Sequence, residues 1–474
     1  MSSFYVENFG CRATQSDGAA IEQQFRKRGL ERADTSAAAE WVVLNTCAVT
    51  AAAEQDARAA IRRIRRGNPD CKIVITGCYA QRAPEEIAAL NGVSCVVGNS
   101  HKHNLAQIAL SQQSGRNRIA GYFIPLQALA TGQGHDTDAP NVDSWATTQG
   151  SAPVFVSDIF AHTRLVAAPV FESANERTRP NLKIQDGCGN RCSFCIIPSL
   201  RGRSRSLAVE EVIQQVHQLV ASGYREVVIS GINLGRWGRD LAVHDESSQL
   251  ARLEDLVRAI LDRTTLEKLR ISSVEPMDWS DSLIRLMASS PRIAKHAHVP
   301  MQSGSDAVLR RMHRKYRPWH YRGKIEKIRQ AMPTAAIGAD VMVGFPGETD
   351  SEFEETRRTI AELPFTYLHV FTFSPRPGTP AASMPNQVPT NLARERNRLL
   401  RELGAEKRLA FMRSFIGRDM EAITLASGND FSSRTEALTD NYLAMQLQGK
   451  HESNCWLTAR VHAVEAGRLM GTAA

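Results

Sequence analysis

Short apolar runs alternate with amphipathic segments along residues 1 to about 105. Helix-period segments such as 19–30 and 53–66 separate apolar runs that each have the length of one strand. This alternation predicts βαβ units on an open parallel sheet. The predicted strands of this sheet are FYVENFG (4–10), WVVLN (41–45), KIVITG (72–77) and CVVG (95–98).

The alternation stops between residues 112 and 178, where Gln, Ser, Gly, Thr and Pro are frequent, and resumes at Leu182. The stretch 112–178 predicts a linker. The alternation from Leu182 onward predicts a partial barrel of six βα units, with its chemistry on loops after the carboxyl ends of the strands. The six predicted strands are 182–185, 226–230, 268–272, 296–301, 336–344 and 367–373.

The last 60 or so residues form short β-like runs after a basic helical stretch at 391–413. Runs of this kind, separated by Gly, Asn and Asp, predict a small β-barrel of the type that binds RNA. The fold class is therefore α/β, with an N-terminal open parallel-sheet domain, a central partial (β/α)6 barrel and a small C-terminal β-barrel. The predicted divisions are 1–111 for the sheet domain, 112–178 for the linker, 179–410 for the barrel and 411–474 for the last domain.

Composition and charge predict a soluble protein that binds an acidic polymer. The 474 residues are 42% hydrophobic and 23% charged, with a formal net charge of +8 and a pI near 9.1. Single basic runs are usually solvated helix faces, but several together favour nucleic acid. The basic residues cluster at 26–29, 62–67, 201–205 and 310–317.

The start of the chain has neither a basic nor an apolar leader segment, and no stretch of about 18 apolar residues occurs. Secretion and membrane spanning are therefore not supported, and we expect a cytoplasmic protein without a membrane partner. Thiols stay reduced there, so the nine cysteines are expected to be metal ligands or buried apolar residues rather than disulfides.

Three cysteines follow the first predicted barrel strand in C-x3-C-x2-C spacing: Cys188, Cys192 and Cys195. Three thiolates can hold three irons of a 4Fe-4S cluster and leave the fourth iron open for a small molecule. The alternatives are a zinc site completed by a distant histidine, or buried apolar cysteines.

A second set of cysteines comes from three different strands. Cys11, Cys47 and Cys78 each lie just past the carboxyl end of a predicted strand. In an open parallel sheet these ends face one crevice, so the three side chains are expected to meet there. The other cysteines are expected to be structural: Cys71, Cys95 and Cys455.

The cysteine loop resembles the signature of the radical S-adenosylmethionine (SAM) enzymes, and nearly the whole chain resembles the methylthiotransferases among them. The resemblance is carried in the N-terminal domain by NFGCRATQSDG, LNTCAVT and ITGCYAQ. The central domain carries it in QDGCGNRCSFCIIPSLRGRSRS, RISSVEP, HVPMQSGSD and GADVMVGFPGET, and the C-terminal TRAM-like domain in FIGRDMEAIT and TDNYLAMQL.

Branch-specific motifs are most similar to the enzymes that act on N6-threonylcarbamoyladenosine next to the anticodon (tRNA position 37). These motifs are QDGC, RGRSRS and YLHVFTFSPRPGTPAASMP. Two features depart from the family pattern: the stretch 112–178 is unlike its shorter connection, and Gly189 stands where asparagine is expected. Neither departure removes a cysteine ligand.

The resemblance implies two 4Fe-4S clusters, one binding SAM through Cys188, Cys192 and Cys195, and an auxiliary one on Cys11, Cys47 and Cys78. It implies a tRNA methylthiotransferase that makes the 2-methylthio derivative of threonylcarbamoyladenosine, using SAM, a low-potential electron donor and a sulfur source. The alternatives are a methylthiotransferase for another tRNA adenosine or a ribosomal protein, and a non-catalytic RNA-binding protein that carries zinc.

Loops after three barrel strands hold candidates for SAM binding, although their sequences are also good turn sequences. Basic residues at 201–205 and 310–317 lie beside these loops and are expected to contact tRNA phosphates. The candidates for the SAM pocket are Gly231, Gln302, Ser303, Gly344 and Glu348.

Overall fold

The computed structural model describes residues 2–111, 151–162, 165, 178–241, 251–426 and 434–474. Of the predicted linker, 112–150, 163–164 and 166–177 lie outside the described residues. The chain forms two compact units, of which the first comprises 1–168, 187–189 and 196–203, and the second 169–186, 190–195 and 204–474. No helix in the described ranges has both the length and the apolar character needed to cross a bilayer.

The first unit is a doubly wound parallel sheet. In chain order its elements are β1 (Ser3–Asn8), α1 (Arg12–Arg26), β2 (Glu31–Arg32), β3 (Trp41–Thr46), α2 (Ala51–Gly67), β4 (Lys72–Gly77), α3 (Cys78–Arg82), α4 (Pro84–Ala88), β5 (Val93–Gly98), α5 (Leu105–Ser111), β6 (Val154–Phe155) and α6 (Ile197–Arg201). The strands follow the order β2-β1-β3-β4-β5-β6, and all of the pairs are parallel.

The sheet separates two apolar cores because its central strand is buried on both faces. All six residues of β3 are buried. Val42 and Leu44 pack with Ile61 and other residues of one core, while Val43 packs with Phe25 in the other. The four strands predicted for this domain are confirmed. The short edge strands β2 and β6 were missed, and β6 lies within the predicted linker.

The second unit contains the partial barrel. Its elements are β7 (Asn181–Asp186), β8 (Arg205–Ser206), α7 (Val209–Ala221), β9 (Glu226–Gly231), α8 (Leu253–Arg263), β10 (Lys268–Ile271), α9 (Asp281–Ser289), β11 (His296–His298), α10 (Asp306–Arg311), α11 (Pro318–Ala331), β12 (Ala336–Val343), α12 (Asp350–Glu362), β13 (Tyr367–Thr372) and α13 (Thr390–Arg413). All six predicted strands are present, as β7 and β9 to β13. Sheets β10-β9-β7-β8 and β11-β12-β13 are joined by parallel bridges such as Ser273 to His298.

A closed five-stranded barrel ends the second unit. Its strands are β14 (Asp419–Thr424), β15 (Arg434–Thr439), β16 (Ala444–Gln448), β17 (Trp456–Glu465) and β18 (Arg468–Ala473), closed in the order β14-β15-β16-β18-β17. The β-like runs predicted at 420–426, 442–447 and 457–464 correspond to β14, β16 and β17, whereas β15 and β18 were missed. The predicted boundary at 410 falls inside α13, which continues to Arg413.

The C-terminal barrel contacts the ends of the partial barrel at which the parallel strands begin. Asn441 Nδ2 donates a hydrogen bond to Thr334 O, 2.9 Å away, just before β12. Asn454 Nδ2 donates to Gly223 O, 2.7 Å away, just before β9. The carboxyl ends of the strands, where this fold places chemistry, therefore lie at the other end of the partial barrel.

Candidate functional site

The first candidate site lies at the carboxyl edge of the N-terminal sheet. Cys11 caps the start of α1 after β1, Cys47 directly follows β3, and Cys78 is the first residue of α3 after β4. Strands β1, β3 and β4 are neighbours in the sheet. The three cysteines therefore share one edge, with Cys11 exposed and the other two buried.

Local backbone geometry brings these cysteines close together. Gly10 has φ +104°, and a Cβ atom there would lie only 2.8 Å from Cys47 Cβ and 3.1 Å from Cys47 Sγ. Glycine is therefore required where the chain enters α1 beside Cys47. Cys11 Sγ lies 3.5 Å from Thr14 Oγ1, in the first turn of that helix.

The pKa of the Cys47 thiol is affected by both of the other cysteines. Burial, and after it the nearby Cys78 and Cys11, raise the pKa of Cys47 to about 11, while Arg201 acts in the opposite direction. Thiolates repel one another, so both of these cysteines disfavour ionisation of Cys47. Binding iron would remove the thiol protons, since cysteine coordinates as thiolate.

These residues fit a cluster better than a single ion. Each iron of a 4Fe-4S cluster takes its own cysteine, so the ligands do not have to converge on one point. Within the described ranges, no group of three or more Cys, His, Asp or Glu side chains is placed to hold one metal ion.

A buried charged group adjoins the three cysteines. Lys102 Nζ and Arg201 Nη2 each lie 2.9 Å from the same carboxylate oxygen, Asp17 Oδ2. All three side chains are at most 3% exposed. Lys102 Nζ also donates to Asn45 Oδ1 at 3.3 Å, and Asn45 Nδ2 donates to Thr14 O at 2.7 Å.

An asparagine links this group to one cysteine. Asn99 Nδ2 donates to Leu200 O at 2.9 Å and lies 3.7 Å from Cys78 Sγ. Leu200 immediately precedes Arg201 in α6. Asn99 and Lys102 both lie on a short 3-10 helix, Asn99–Asn104, which follows β5. The sequence did not single out Asn99, Lys102 or Asp17, because their contacts join segments far apart in the chain.

The other three cysteines lie on the loop after β7. Cys188 belongs to the first unit, where its amide donates to Gly202 O at 3.0 Å. Cys192 and Cys195 belong to the second unit, and the amide of Cys195 donates to Cys192 O at 3.1 Å. All three cysteines are half-buried.

A buried arginine donates to one of these thiols. Arg314 Nη1 lies 3.2 Å from Cys192 Sγ, Nε lies 3.2 Å from Tyr316 Oη, and Nη2 pairs with Glu275. Burial raises the pKa of Glu275, although Arg314 partly opposes the shift. Sequence reasoning missed Glu275, although RISSVEP had been noted as a motif, because neither its burial nor its partner is visible locally.

A small cleft opens beside Cys192. Its lining includes Cys192, Glu275, Arg314 and Tyr316, together with Lys315. The cleft therefore combines a thiol with groups of both charges at the carboxyl ends of barrel strands.

Three of the residues predicted for the SAM pocket lie at strand ends but make close contacts with the protein itself. Gly231 ends β9, and a Cβ atom there would lie 2.8 Å from Gln185 Oε1. Gln302 has φ +62°, and its amide donates to Asp340 O at 2.8 Å. Ser303 is 2% exposed, with its hydroxyl 3.1 Å from Thr356 Oγ1.

The loop after β12 holds the other two. Gly344 has φ +73°, and a Cβ atom there would lie 2.6 Å from Ala393 Cβ. Its amide donates to the carboxylate of Glu348, which also accepts from Arg396 Nη1 at 3.1 Å. Burial raises the pKa of Glu348, with the Gly344 amide and Arg396 opposing. The roles of these residues in SAM binding stay predictions.

Two basic runs differ from the predicted phosphate-contacting surface. Arg201 and Arg205 are buried, and only Arg203 of the run 201–205 is exposed. In the run 310–317, Arg314 is likewise buried. A run of like charges looks solvated in the sequence, but here several of its members have partners distant in the chain.

Known protein families match both parts of the chain. Residues 3–98 match the model of uncharacterized protein family UPF0004, and residues 182–360 match the radical SAM superfamily. The chain is 35% identical to the threonylcarbamoyladenosine tRNA methylthiotransferase MtaB of Bacillus subtilis, over 95% of this chain and 92% of that protein. The Aquifex aeolicus protein of the same name is 31% identical over 94% of this chain and 97% of its own length.

Further relatives and structures are similar over most of the chain. The tRNA-2-methylthio-N(6)-dimethylallyladenosine synthase of Nocardia farcinica is 31% identical, over 92% of this chain and 80% of that protein. Among solved structures, the radical SAM methyltransferase TsrM of Kitasatospora setae, with cobalamin and a [4Fe-4S] cluster bound, gives a TM-score of 0.55. It is 16% identical and covers 81% of this chain and 77% of that chain, so the likeness concerns the fold.

Proposed function

The chain belongs to the radical SAM methylthiotransferase family, and on that premise we propose that it converts N6-threonylcarbamoyladenosine in tRNA into its 2-methylthio derivative. The observation that carries this proposal is end-to-end similarity, at 31–35% identity, to relatives named for that reaction. The cysteines at the strand ends supply the donor set that the chemistry needs.

We infer that Cys188, Cys192 and Cys195 hold the cluster that binds SAM, and that Cys11, Cys47 and Cys78 hold the auxiliary cluster. When bound, these groups supply the electron that cleaves SAM to a 5′-deoxyadenosyl radical, and the sulfur that is transferred. Both sets consist of three thiols, which suits clusters that keep one iron open.

The protein's own residues prepare both sites. Arg314 donates a hydrogen bond to the Cys192 sulfur, and hydrogen bonds to ligand sulfurs tune the potential of a cluster. Burial of Cys47 and Cys78 keeps bulk water from the inner part of the N-terminal site. Gly231, Gln302, Ser303, Gly344 and Glu348 are retained as proposed SAM-pocket residues, and they act chiefly by shaping the loops at strand ends.

The proposal includes partners. A substrate tRNA fits the net charge of +8, and the reaction also needs a low-potential electron donor and a sulfur source. An enzyme that modifies tRNA works in the cytoplasm, where its substrate is. The domain division at 111, 178 and 410 is part of the same proposal.

A second candidate function is supported by the other named relatives. The tRNA-2-methylthio-N(6)-dimethylallyladenosine synthases of Nocardia farcinica and Thermobifida fusca are 31% and 32% identical to this chain. A methylthiotransferase of that specificity would use the same cysteines on a different adenosine. The two functions therefore differ in the substrate and not in the cluster chemistry.

The proposed function predicts a defined nucleoside change. Cells lacking this protein should lose 2-methylthio-threonylcarbamoyladenosine from hydrolysed tRNA and accumulate threonylcarbamoyladenosine, as measured by mass spectrometry. Returning the gene should restore the product, whereas returning the Cys192→Ala variant should not. Loss of the methylthio-dimethylallyl nucleoside instead would establish the second candidate. Unchanged tRNA together with loss of the methylthio group from a ribosomal protein would establish the third alternative.

A single exposed arginine gives a test of tRNA binding. The Arg203→Gln variant should reduce the slope of log affinity against log salt by about one, because each neutralised phosphate releases counterions. The control is Arg285→Gln, which removes an exposed charge from α9, away from the basic runs. Fluorescence anisotropy with tRNA at several salt concentrations measures both slopes. Equal slopes for Arg203→Gln and wild type would remove Arg203 from the RNA surface.

A further inference from the structure

Two cationic side chains are buried beside the N-terminal cysteines and share one carboxylate oxygen. Lys102 and Arg201 each lie 2.9 Å from Asp17 Oδ2. Each of the three side chains is at most 3% exposed. Withdrawing such groups from water is costly, so an arrangement of this kind needs a strong electrostatic reason.

The position of the two cations suggests that reason. Burial raises the pKa of Cys47 to about 11, and Arg201 opposes that shift. Burial lowers the pKa of Lys102, and Asp17 and then Cys78 oppose that shift. Hydrogen bonds link the segments that carry the group to one of these sulfurs, because Asn99 Nδ2 lies 3.7 Å from Cys78 Sγ and donates to the carbonyl of Leu200, the neighbour of Arg201, at 2.9 Å. The two cations and the two buried cysteines therefore lie on connected segments of the first unit.

The carboxylate fixes both cations where they are. Asp17 lies on α1, Arg201 ends α6, and Lys102 lies on the short helix after β5. Asn45, the residue two before Cys47, accepts a further hydrogen bond from Lys102 at 3.3 Å. Two segments distant in sequence thus bring positive charge to one edge of the sheet and a third brings the carboxylate that they share, where three thiolates would add negative charge.

We propose that Lys102 and Arg201 are positioning residues that hold positive charge against an iron–sulfur cluster on Cys11, Cys47 and Cys78, and so raise its reduction potential. This inference rests on the proposed function, which supplies the auxiliary cluster. Reduction adds negative charge to a cluster that already carries thiolates. Nearby cations therefore stabilise the reduced form, and a nearby carboxylate disfavours it.

The test uses the full-length protein in which Cys192→Ala removes a ligand of the other cluster. The midpoint potential of the remaining cluster is measured by redox titration followed by electron paramagnetic resonance. Lys102→Met and Arg201→Gln should each lower the potential by at least about 59 mV, a tenfold change for a one-electron couple. Asp17→Asn removes the negative charge that the two cations share, and it should raise the midpoint potential.

Two controls separate charge from packing. Arg201→Lys keeps the charge and should retain a potential near that of the parent. Lys72→Met removes a lysine that is 37% exposed and paired with Glu40 on the surface, and should leave the potential unchanged. Iron, sulfide and thermal unfolding are measured for every variant. If Lys102→Met folds but loses the cluster while Arg201→Lys and Lys72→Met keep it, Lys102 is needed to hold the cluster, and the proposal that it tunes the potential is overturned for this residue.

The opposite signs expected for Lys102→Met and Asp17→Asn make the outcome decisive. If the cluster is present and the two substitutions move the potential in the same direction, or not at all, the inference is wrong while the proposed function stands. Loss of the cluster from Arg201→Lys and Lys72→Met as well would also overturn it. If the folded parent binds no cluster at all, the proposed auxiliary centre itself fails, together with the inference.

Discussion

Replacing Cys47 by alanine should stop methylthiolation while reductive cleavage of SAM remains measurable, whereas Cys192→Ala should abolish both. Cys47 lies after β3 of the first unit, and Cys192 lies on the loop after β7 in the second. A ligand removed from the auxiliary cluster should not disturb the residues that hold the SAM cluster. The expected result is 5′-deoxyadenosine without methylthiolated product in one variant only.

Metal content gives the same division independently of activity. Wild-type protein reconstituted without oxygen should contain about eight irons and eight sulfides per chain, as two 4Fe-4S clusters require. Cys47→Ala and Cys192→Ala should each contain about four irons and four sulfides per chain, since each loses one cluster. The assay mixes protein, dithionite, SAM and tRNA bearing threonylcarbamoyladenosine under anaerobic conditions, and mass spectrometry detects 5′-deoxyadenosine and the modified nucleoside.

A buried cysteine outside both sets provides the matched control. Cys95 is 2% exposed and packs in the core on one face of the N-terminal sheet. Cys95→Ala should keep both activities and about eight irons, with only a modest loss of stability. Wild-type amounts of methylthiolated nucleoside from Cys47→Ala would refute the auxiliary-cluster assignment. Loss of both activities in Cys47→Ala and in Cys95→Ala would instead indicate general unfolding.

Strands and cysteine positions could be predicted from the sequence because both depend on local pattern. A run such as Trp41–Thr46, buried on both faces, reads as a continuous apolar segment, and the cysteine after it must lie at the carboxyl end. Parallel topology then brings Cys11, Cys47 and Cys78 to one edge without further information. These positions needed no knowledge of side-chain partners.

The missed strands lack that local signal. The strand β15 (Arg434–Thr439) alternates buried and exposed residues over only part of its length and begins with a charged residue. The strand β6 (Val154–Phe155) has two residues, and it exists because it pairs with Val96 and Val97 of the neighbouring strand. Short strands of this kind are decided by pairing with the rest of the sheet, which periodicity does not reveal.

The buried arginines were misjudged for a related reason. Arg201 and Arg314 sit in runs of positive charge, which are typically solvated. Their burial depends on Asp17, 184 residues from Arg201, and on Glu275, 39 residues from Arg314. A carboxylate so far away in the sequence cannot be identified as a partner from the residues around each arginine. Basic runs near catalytic cysteines therefore deserve consideration as internal partners as well as RNA contacts.

Replacing Arg314 by methionine should destabilise the second unit by about 3 kcal/mol at neutral pH. The change leaves the half-buried carboxylate of Glu275 without its buried cationic partner. Removing one member of a buried ion pair typically costs about 3–5 kcal/mol, and partial exposure of Glu275 favours the lower end of that range. The matched control is Arg310→Met, since Arg310 is 61% exposed and paired with Asp306 on α10. That surface pair should contribute less than about 1 kcal/mol.

The pH dependence of this loss follows from the shifted carboxyl group. Burial already raises the pKa of Glu275 in the folded protein, and loss of Arg314 would raise it further. A carboxyl with a raised folded pKa favours the folded state at low pH, and this contribution is lost as the pH rises through the folded pKa. The gap in stability between wild type and Arg314→Met should therefore widen from pH 5 to pH 8, as measured by denaturant unfolding of cluster-free protein.

A second substitution identifies the cause of the loss. Glu275→Gln in the Arg314→Met background removes the carboxylate that has lost its partner. It should therefore recover a large part of the lost stability and reduce the dependence of that stability on pH. The same substitution in wild type should destabilise, because Arg314 then loses its carboxylate partner. If Arg314→Met costs no more than Arg310→Met, or if the gap is the same at pH 5 and pH 8, the ion pair does not support this site. Arg314 would then act only through its hydrogen bond to Cys192.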